Sequence, residues 1–221
     1  VDDMLQEGMK VIAIARKNVG HQREITPADE FNMTLVGYLS FFDAPKQTAK
    51  ESVAALKRLK VTPKILTGDQ AAIAVSVCHR VGISAEAVLT GAKLDEMTDS
   101  ELRKAVEEIY VFAELTPGQK VRLVSALQEN GHSVGFLGDG VNDIPALNEA
   151  NVGISVDTAV DSAKDAADVV LLQKDLNVLE QGVLEGRKTF TNMLKYIKIT
   201  ASSNFGNIFS IICASAFLPF L

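Results

Sequence analysis

The chain has 221 residues, of which 47% are hydrophobic and 23% charged, and its formal net charge is −6. This length and apolar content are enough for the packed core of one or two domains. The acidic balance, without a basic stripe that alternates with aromatic residues, excludes nucleic acid as the expected partner.

The first half of the chain opens with two apolar runs that predict strands, and a helix, a strand and a further helix follow them. In chain order we predict strands at Lys10–Ala15 and Met33–Phe41, a helix at Thr48–Leu59, a strand at Pro63–Leu66 and a helix at about Gln70–Val81 that ends at Gly82. For the polar stretch Thr90–Lys104 we predict only a short helix near its end.

The second half alternates strands and helices regularly, and its strands are rich in Val, Ile and Leu. The predicted strands are Ile109–Ala113, Ser133–Leu137, Val152–Ile154 and Val169–Leu172, and the helices between them are Gly118–Asn130, Asn142–Ala150 and Ala159–Ala166. This alternation predicts a parallel sheet with helices on both faces. Because ligands of such sheets lie beyond the carboxyl ends of the strands, we expect the chemistry at Thr67–Asp69, after Ala113 and at Gly138–Asp143.

One long helix is predicted from Leu176 to the end of the chain. Lys198 is its last charged residue, and the 23 residues from Ile199 to Leu221 carry no charge. A membrane span needs about 20 mostly apolar residues. We therefore expect a stalk helix that enters a bilayer, with Lys195 and Lys198 on the cytoplasmic side. The start at Val1 and the end inside the apolar run suggest a piece of a longer protein.

The loop Gly138–Asp143 follows an apolar strand and combines two carboxylates with an amide. Mg2+ prefers a few carboxylate oxygens and keeps several waters, so Asp139 at the strand end is the best candidate for a direct ligand. Asn142 can donate a hydrogen bond to a phosphoryl oxygen, and Asp143 can hold the metal's waters or orient a neighbour. The alternative is a tight turn followed by a helix that Asn142 caps.

Two further segments have the residues of a phosphate site. Thr67-Gly68-Asp69 lies between a strand and a helix, where a hydroxyl and backbone N–H groups bind phosphate well, although Asp69 could instead be a plain helix cap. Lys120 lies in the first turn of a helix, where a cation is unfavourable without an anionic partner, although a solvated lysine is the alternative. Together with the acidic loop, these residues supply donors, a positive charge and a metal ligand for phosphoryl transfer.

These motifs resemble those of the P-type ATPases over nearly the whole chain. Gly138–Leu147 resembles the hinge motif of that family, Thr67-Gly68-Asp69 its TGD motif, Lys120 the lysine of its third haloacid-dehalogenase motif, and Asp43–Lys46 a variant of its DPPR segment. The stretch Asn192–Leu221 looks most like the bacterial magnesium-transporting branch.

The resemblance implies a fold, a reaction and a location. The fold is a haloacid-dehalogenase-like (Rossmann-like) α/β domain with a parallel sheet and helices on both faces, followed by a long helix that enters the membrane. ATP phosphorylates an aspartate with Mg2+ as cofactor, and a cation, here Mg2+, crosses the bacterial inner membrane while the catalytic domain stays cytoplasmic. The implied domains are residues 1–32, the tail of a nucleotide-binding domain; 33–175, the phosphorylation domain; 176–198, the stalk helix; and 199–221, a truncated transmembrane helix.

The resemblance also assigns roles to residues. It implies that Thr67, Lys120 and Asn142 are catalytic, that Asp139 and Asp143 hold the metal, and that the following residues bind nucleotide or phosphate: Lys10, Asp43, Thr67, Gly68, Asp69, Lys120 and Asn142. The sequence departs from the family in three ways. It contains no DKTGT motif, so the phosphorylated aspartate is expected upstream of Val1; Glu114 replaces an arginine near the nucleotide; and Lys46 replaces the arginine of DPPR and loses its bidentate fork.

Three polar residues in the uncharged run fall on one helix face, namely Thr200, Asn204 and Asn207. Polar groups inside a membrane often mark an ion path, and by resemblance Asn204 and Asn207 lie where ion-site residues are carried. Hydrogen bonding between helices is the alternative.

Three hypotheses therefore remain for the function. The first is an ATP-driven pump, for Mg2+ or for another divalent cation such as Ca2+, whose partners are ATP, the cation, the lipid bilayer and the rest of the same polypeptide. The second is a soluble phosphatase of the haloacid dehalogenase superfamily. The third is that the isolated chain binds Mg2+ or phosphate and turns over nothing, since it has no nucleophile.

Overall fold

The computed structural model describes residues 9–19, 26–41 and 46–217. The strands in these ranges are β1 (Lys10–Arg16), β2 (Thr34–Phe41), β3 (Ile65–Leu66), β4 (Val88–Thr90), β5 (Val111–Ala113), β6 (Gly135–Leu137), β7 (Val152–Val156) and β8 (Val169–Leu171). The helices are α1 (Ala49–Arg58), α2 (Ala71–Val81), α3 (Gly91–Glu96), α4 (Asp99–Glu108), α5 (Pro117–Glu129), α6 (Ile144–Glu149), α7 (Asp161–Ala166) and α8 (Leu176–Phe217). Short 3-10 turns occupy Pro27–Asp29 and Val141–Asp143.

The first two strands form an antiparallel pair of their own. Lys10 pairs with Phe41 and Arg16 with Thr34, and the register shifts between Ile14 and Ala15. The predicted domain boundary after residue 32 falls between these two strands, so the two paired strands lie on opposite sides of it.

A three-stranded parallel sheet in the order β3-β5-β4 is buried between helices. Its central strand β5 is buried throughout, and neighbouring residues of a strand point to opposite faces. Phe112 accordingly packs in one core cluster with residues of α3, α4 and α5. Val111 and Ala113 pack in another cluster with residues of α1 and α2. The prediction of helices on both faces is confirmed for this sheet.

A second three-stranded parallel sheet has the order β6-β7-β8. Gly135 is in register with Val152, and Ile154 with Val169. The parallel strands are thus divided between two sheets, where the sequence predicts one. Within the described residues β3 and β6 each pair on one side only, so both are edge strands of their sheets.

The polar stretch Thr90–Lys104 contains more structure than predicted. Strand β4 ends in it, and α3 and most of α4 follow where only one short helix is expected. A capping box begins α4, because Thr98 Oγ1 accepts from Glu101 N while Glu101 Oε2 accepts from Thr98 N. Leu94 and Leu102 anchor the two helices in the core.

The long C-terminal helix α8 has the predicted start at Leu176 and runs to Phe217. Residues 177–221 form a unit separate from residues 1–176. Searched over the described part of the chain, no helix combines the length and the apolar character needed to cross a membrane.

Candidate functional site

A cavity of about 440 Å3 opens at the carboxyl ends of β3 and β6. Thr67, Lys120, Asp139 and Asp143 all line it. These residues come from the ends of two strands, the first turn of α5 and the loop after β6. The structure therefore brings together four of the residues that the sequence predicts for phosphate and metal binding, at the carboxyl ends of parallel strands, where ligands are expected.

The loop Gly138–Asp143 is held to the neighbouring strand β7. Gly138 N donates to Ile154 O at 3.0 Å, and the buried Ser155 Oγ donates to Gly138 O at 2.9 Å. Residue 138 must be glycine, because a Cβ there would lie 2.5 Å from Asp143 Cβ. The close approach fixes where the Asp143 side chain lies.

Lys120 and Asp143 form a nearly buried ion pair. Lys120 Nζ donates to Asp143 Oδ1 at 2.7 Å, and the two side chains are only 10% and 16% exposed. Asp143 Oδ2 accepts from Gly140 N at 3.3 Å. The anionic partner expected for a lysine in a first helical turn is thus a carboxylate of the acidic loop. Of the two roles predicted for Asp143, these contacts support orienting a neighbour.

The segment Thr67–Asp69 is fastened to the chain that leaves β5. Leu115 N donates to Thr67 O at 3.0 Å, and Glu114 N donates to Asp69 O at 2.9 Å. Thr67 Oγ1 accepts from Asp69 N at 3.0 Å, so the hydroxyl proton is available for another acceptor. These hydrogen bonds therefore hold the ends of β3 and β5 next to each other.

Glu114 supplies a hydrogen-bond acceptor to the first turn of helix α2. Its N-cap position is Gln70, whose side chain makes no capping bond. Glu114 Oε1 accepts a hydrogen bond from Ala71 N at 3.2 Å. The backbone of Glu114 itself is left-handed, with a φ of 58°. Asp69 stands one residue before this N-cap position. Glu114, one of the three departures from the family pattern, thus contacts the start of a helix.

Asp139 faces a cation that the sequence did not predict. Lys174 Nζ lies 2.6 Å from Asp139 Oδ2, and both side chains are about half exposed, at 56% and 53%. The ammonium of Lys174 thus occupies one side of an exposed carboxylate. A carboxylate with room for water suits Mg2+. Within residues 9–19, 26–41 and 46–217, no group of three or more His, Cys, Asp or Glu side chains could hold a metal.

Other predicted residues lie elsewhere. Gly68, Asp69 and Asn142 are exposed and do not belong to the described residues that line the cavity. Lys10 lies in β1, and Asp43 falls outside the described residues. Asn204 and Asn207 are exposed positions of α8.

Sequence reasoning missed Thr48, Lys174 and Asp175, which also line the cavity. Thr48 Oγ1 donates to Asp175 Oδ2 at 3.2 Å. Lys174 and Asp175 follow the end of β8 after two residues, and the rule on strand ends, applied to Val169–Leu172 as well, would have pointed to them.

The chain is similar to one protein family and to several transport proteins. The haloacid dehalogenase-like hydrolase family matches residues 5–151. Over all 221 residues the chain is 51% identical to "Magnesium-transporting ATPase, P-type 1" of Escherichia coli strain K12, and it covers 25% of that protein. It is 50% identical over 223 residues to the protein of the same name from Salmonella typhimurium, again covering 25%.

A relative with lower identity carries the name of another ion. The chain is 34% identical over 212 residues to "Calcium-transporting ATPase 1" of Lactococcus lactis, which takes in 95% of this chain and 24% of the relative. The chain thus spans about a quarter of the length of the curated relatives it matches. With its parallel sheets, its strand-end acidic loop and these matches, the chain is similar to a part of magnesium-transporting P-type ATPases, and it belongs to the haloacid dehalogenase-like hydrolase family.

Proposed function

We propose that this chain is the phosphoryl-transfer part of an ATP-driven pump that imports Mg2+ across the bacterial inner membrane. The observation that carries the proposal is the shared cavity of Thr67, Lys120 and Asp139. The identity of about half the residues with magnesium-transporting P-type ATPases supports the ion. ATP and Mg2+ are the proposed substrate and cofactor.

Thr67 and Lys120 would bind the phosphoryl group that is transferred. The phosphoryl transition state spreads negative charge over three oxygens, and fixed donors aimed at these oxygens lower the barrier. Asp143 holds the ammonium of Lys120 in place before any substrate arrives, so little reorganisation is needed. The hydroxyl of Thr67 can donate its proton to a second oxygen of the phosphoryl group.

Asp139 would hold the catalytic Mg2+. When bound, this metal would neutralise charge on the phosphoryl oxygens. Asn142 would donate to a phosphoryl oxygen from the exposed 3-10 turn. Lys10, Asp43, Gly68 and Asp69 remain proposals for nucleotide or phosphate contacts.

The phosphorylated aspartate would come from another segment of the longer protein. No DKTGT motif occurs in the sequence. Leu66 on β3 and Leu137 on β6 line the cavity, and both strands are edge strands among the described ones. Edge strands present unpaired backbone groups that accept a further strand. A strand inserted there would bring its carboxyl end to Thr67 and Asp139.

The uncharged run from residue 199 to residue 221 would begin the membrane part, placing the protein in the inner membrane with this domain in the cytoplasm. Asn204 and Asn207 are the proposed contacts for the transported ion. Residues 176–198 would serve as the stalk, residues 33–175 as the phosphorylation domain and residues 1–32 as the tail of a nucleotide-binding domain.

A calcium pump and a soluble phosphatase are the competing functions. The lower identity to the calcium-transporting relative argues against the first. The second fits the family match of residues 5–151 alone, but it leaves the whole-chain similarity to transporters without an explanation.

Transport by the full-length protein in sealed vesicles tests the proposal. In right-side-out vesicles that enclose ATP, Mg2+ uptake should be seen with an enclosed Mg2+ indicator, and Asp139→Asn should lower the rate roughly 100-fold or more. Asp95→Asn, which makes the same change at an exposed position of α3, should transport normally. Uptake of Ca2+ in place of Mg2+, or phosphatase activity without uptake, would contradict the proposal.

A further inference from the structure

The connection between β8 and α8 is fastened to the segment before α1. Lys46 Nζ donates to the carbonyl oxygen of Lys174. Thr48 Oγ1 donates to the carboxylate of Asp175, at 3.2 Å and 3.4 Å from its two oxygens. The backbone that carries Lys174 is therefore held from the segment before α1, and the Lys174 ammonium lies at a defined place in the cavity wall.

The loop Gly138–Asp143 makes two aspartate–lysine pairs that differ in exposure. The pair Lys120–Asp143 is 10% and 16% exposed, whereas Lys174–Asp139 is 56% and 53% exposed. Breaking a buried pair leaves an uncompensated charge, but an exposed pair is weak and exchanges with solvent ions. The first pair is a fixed part of the loop, and the second can open.

We propose that Lys174 competes with the divalent metal for Asp139 and so sets the metal affinity of the loop. The ammonium neutralises the carboxylate while no metal is bound, and it moves away when a metal arrives, because two cations beside one carboxylate repel each other. The inference rests on the proposed function, in which Asp139 is the metal ligand.

Competition by an ammonium also favours divalent over monovalent cations. A monovalent ion has the same charge as the Lys174 ammonium, so its attraction to Asp139 is no stronger. A divalent ion has twice that charge and is attracted to the carboxylate more strongly. A metal must therefore bind Asp139 more strongly than Lys174 does in order to displace it.

Mn2+ titration of the full-length protein, followed by the electron paramagnetic resonance signal of free Mn2+, tests the inference without turnover. Mn2+ shares with Mg2+ its preference for carboxylate and water ligands. Lys174→Met should tighten binding roughly two- to five-fold, the range expected for loss of an exposed ion pair. Lys174→Arg keeps the charge and should bind as the wild type does.

The controls separate this inference from the function on which it rests. Lys188→Met removes a lysine of an ion pair with similar exposure, 67% and 64%, and should leave the Mn2+ affinity unchanged. In an Asp139→Asn background, Lys174→Met should have no effect. Unchanged or weaker binding by Lys174→Met, or tightening that persists without Asp139, would overturn the inference. If Asp139→Asn alone bound Mn2+ as tightly as the wild type, the assignment of Asp139 as metal ligand would fail.

Discussion

Gly138 is the residue on which the geometry of the acidic loop depends most directly. A Cβ at this position would overlap the Asp143 side chain, so neither could keep its place. The same Asp143 positions Lys120, so one glycine links the shape of the loop to the place of the cation.

We predict that Gly138→Ala lowers the free energy of unfolding by about 1–3 kcal/mol, the usual cost of overpacking. The added Cβ would lie 2.5 Å from Asp143 Cβ and 2.9 Å from Asp143 Cγ, so the side chain would have to leave its place beside Lys120. Urea unfolding followed by circular dichroism measures the loss.

Gly140→Ala is the matched control two residues along the same loop. Its backbone is extended, with φ of −107°, and the added Cβ would meet Asp143 Oδ2 at an ordinary 3.6 Å. We expect a change within about 0.5 kcal/mol, as for a substitution that strains nothing. Equal losses for the two variants would refute the steric account of Gly138.

Helix α2 shows how one element depends on another for its start. The backbone N–H groups of the first helical turn have no partner inside the helix. Glu114, which follows β5, supplies an acceptor to Ala71 N. The strand end that carries Thr67 and the helix after it are thereby tied to β5.

Removing this cap should destabilise the domain. We predict that Glu114→Ala costs about 0.5–2 kcal/mol, as other lost caps do. Glu114→Gln keeps an oxygen acceptor and gives up only the charge near the helix N-terminus, worth about 0.3–1 kcal/mol. Thermal unfolding of both variants compares them, and a Gln variant as unstable as the Ala variant would show that the contact with Ala71 is not what stabilises α2.

The regular elements could be predicted from the sequence because their apolar residues keep a helix or strand period. Strand β5 and helix α5 agree with the prediction within two residues at each end. The region of α3 and α4 could not be predicted so well, because few apolar residues, such as Leu94 and Leu102, anchor two short polar helices. Its capping box at Thr98 was the available signal.

The candidate site likewise has residues that the sequence predicts and contacts that it does not. Thr67 and Asp139 could be placed together, because ligands lie beyond the carboxyl ends of parallel strands, and this holds although β3 and β6 belong to two sheets. The contacts of Lys174 with Asp139 and of Glu114 with Ala71 join residues 35 and 43 positions apart, and local sequence patterns do not encode such pairs. Their discovery required the fold.

At the scale of the whole molecule, the described part of the site contains a cation, a hydroxyl and an exposed carboxylate, and the sequence has no DKTGT motif. The chain spans about a quarter of its relatives. The two parallel sheets present edge strands on either side of the cavity. We expect a further segment of the longer protein to complete the site.

Labelling with ATP that carries radioactive phosphate at the γ position tests this central claim most directly. The full-length protein should take up acid-stable label only in the presence of Mg2+, and full-length Asp139→Asn should lose it. The chain of 221 residues alone should take up none. Acid-stable label on this chain alone, or on the full-length Asp139→Asn protein at the wild-type level, would contradict the account.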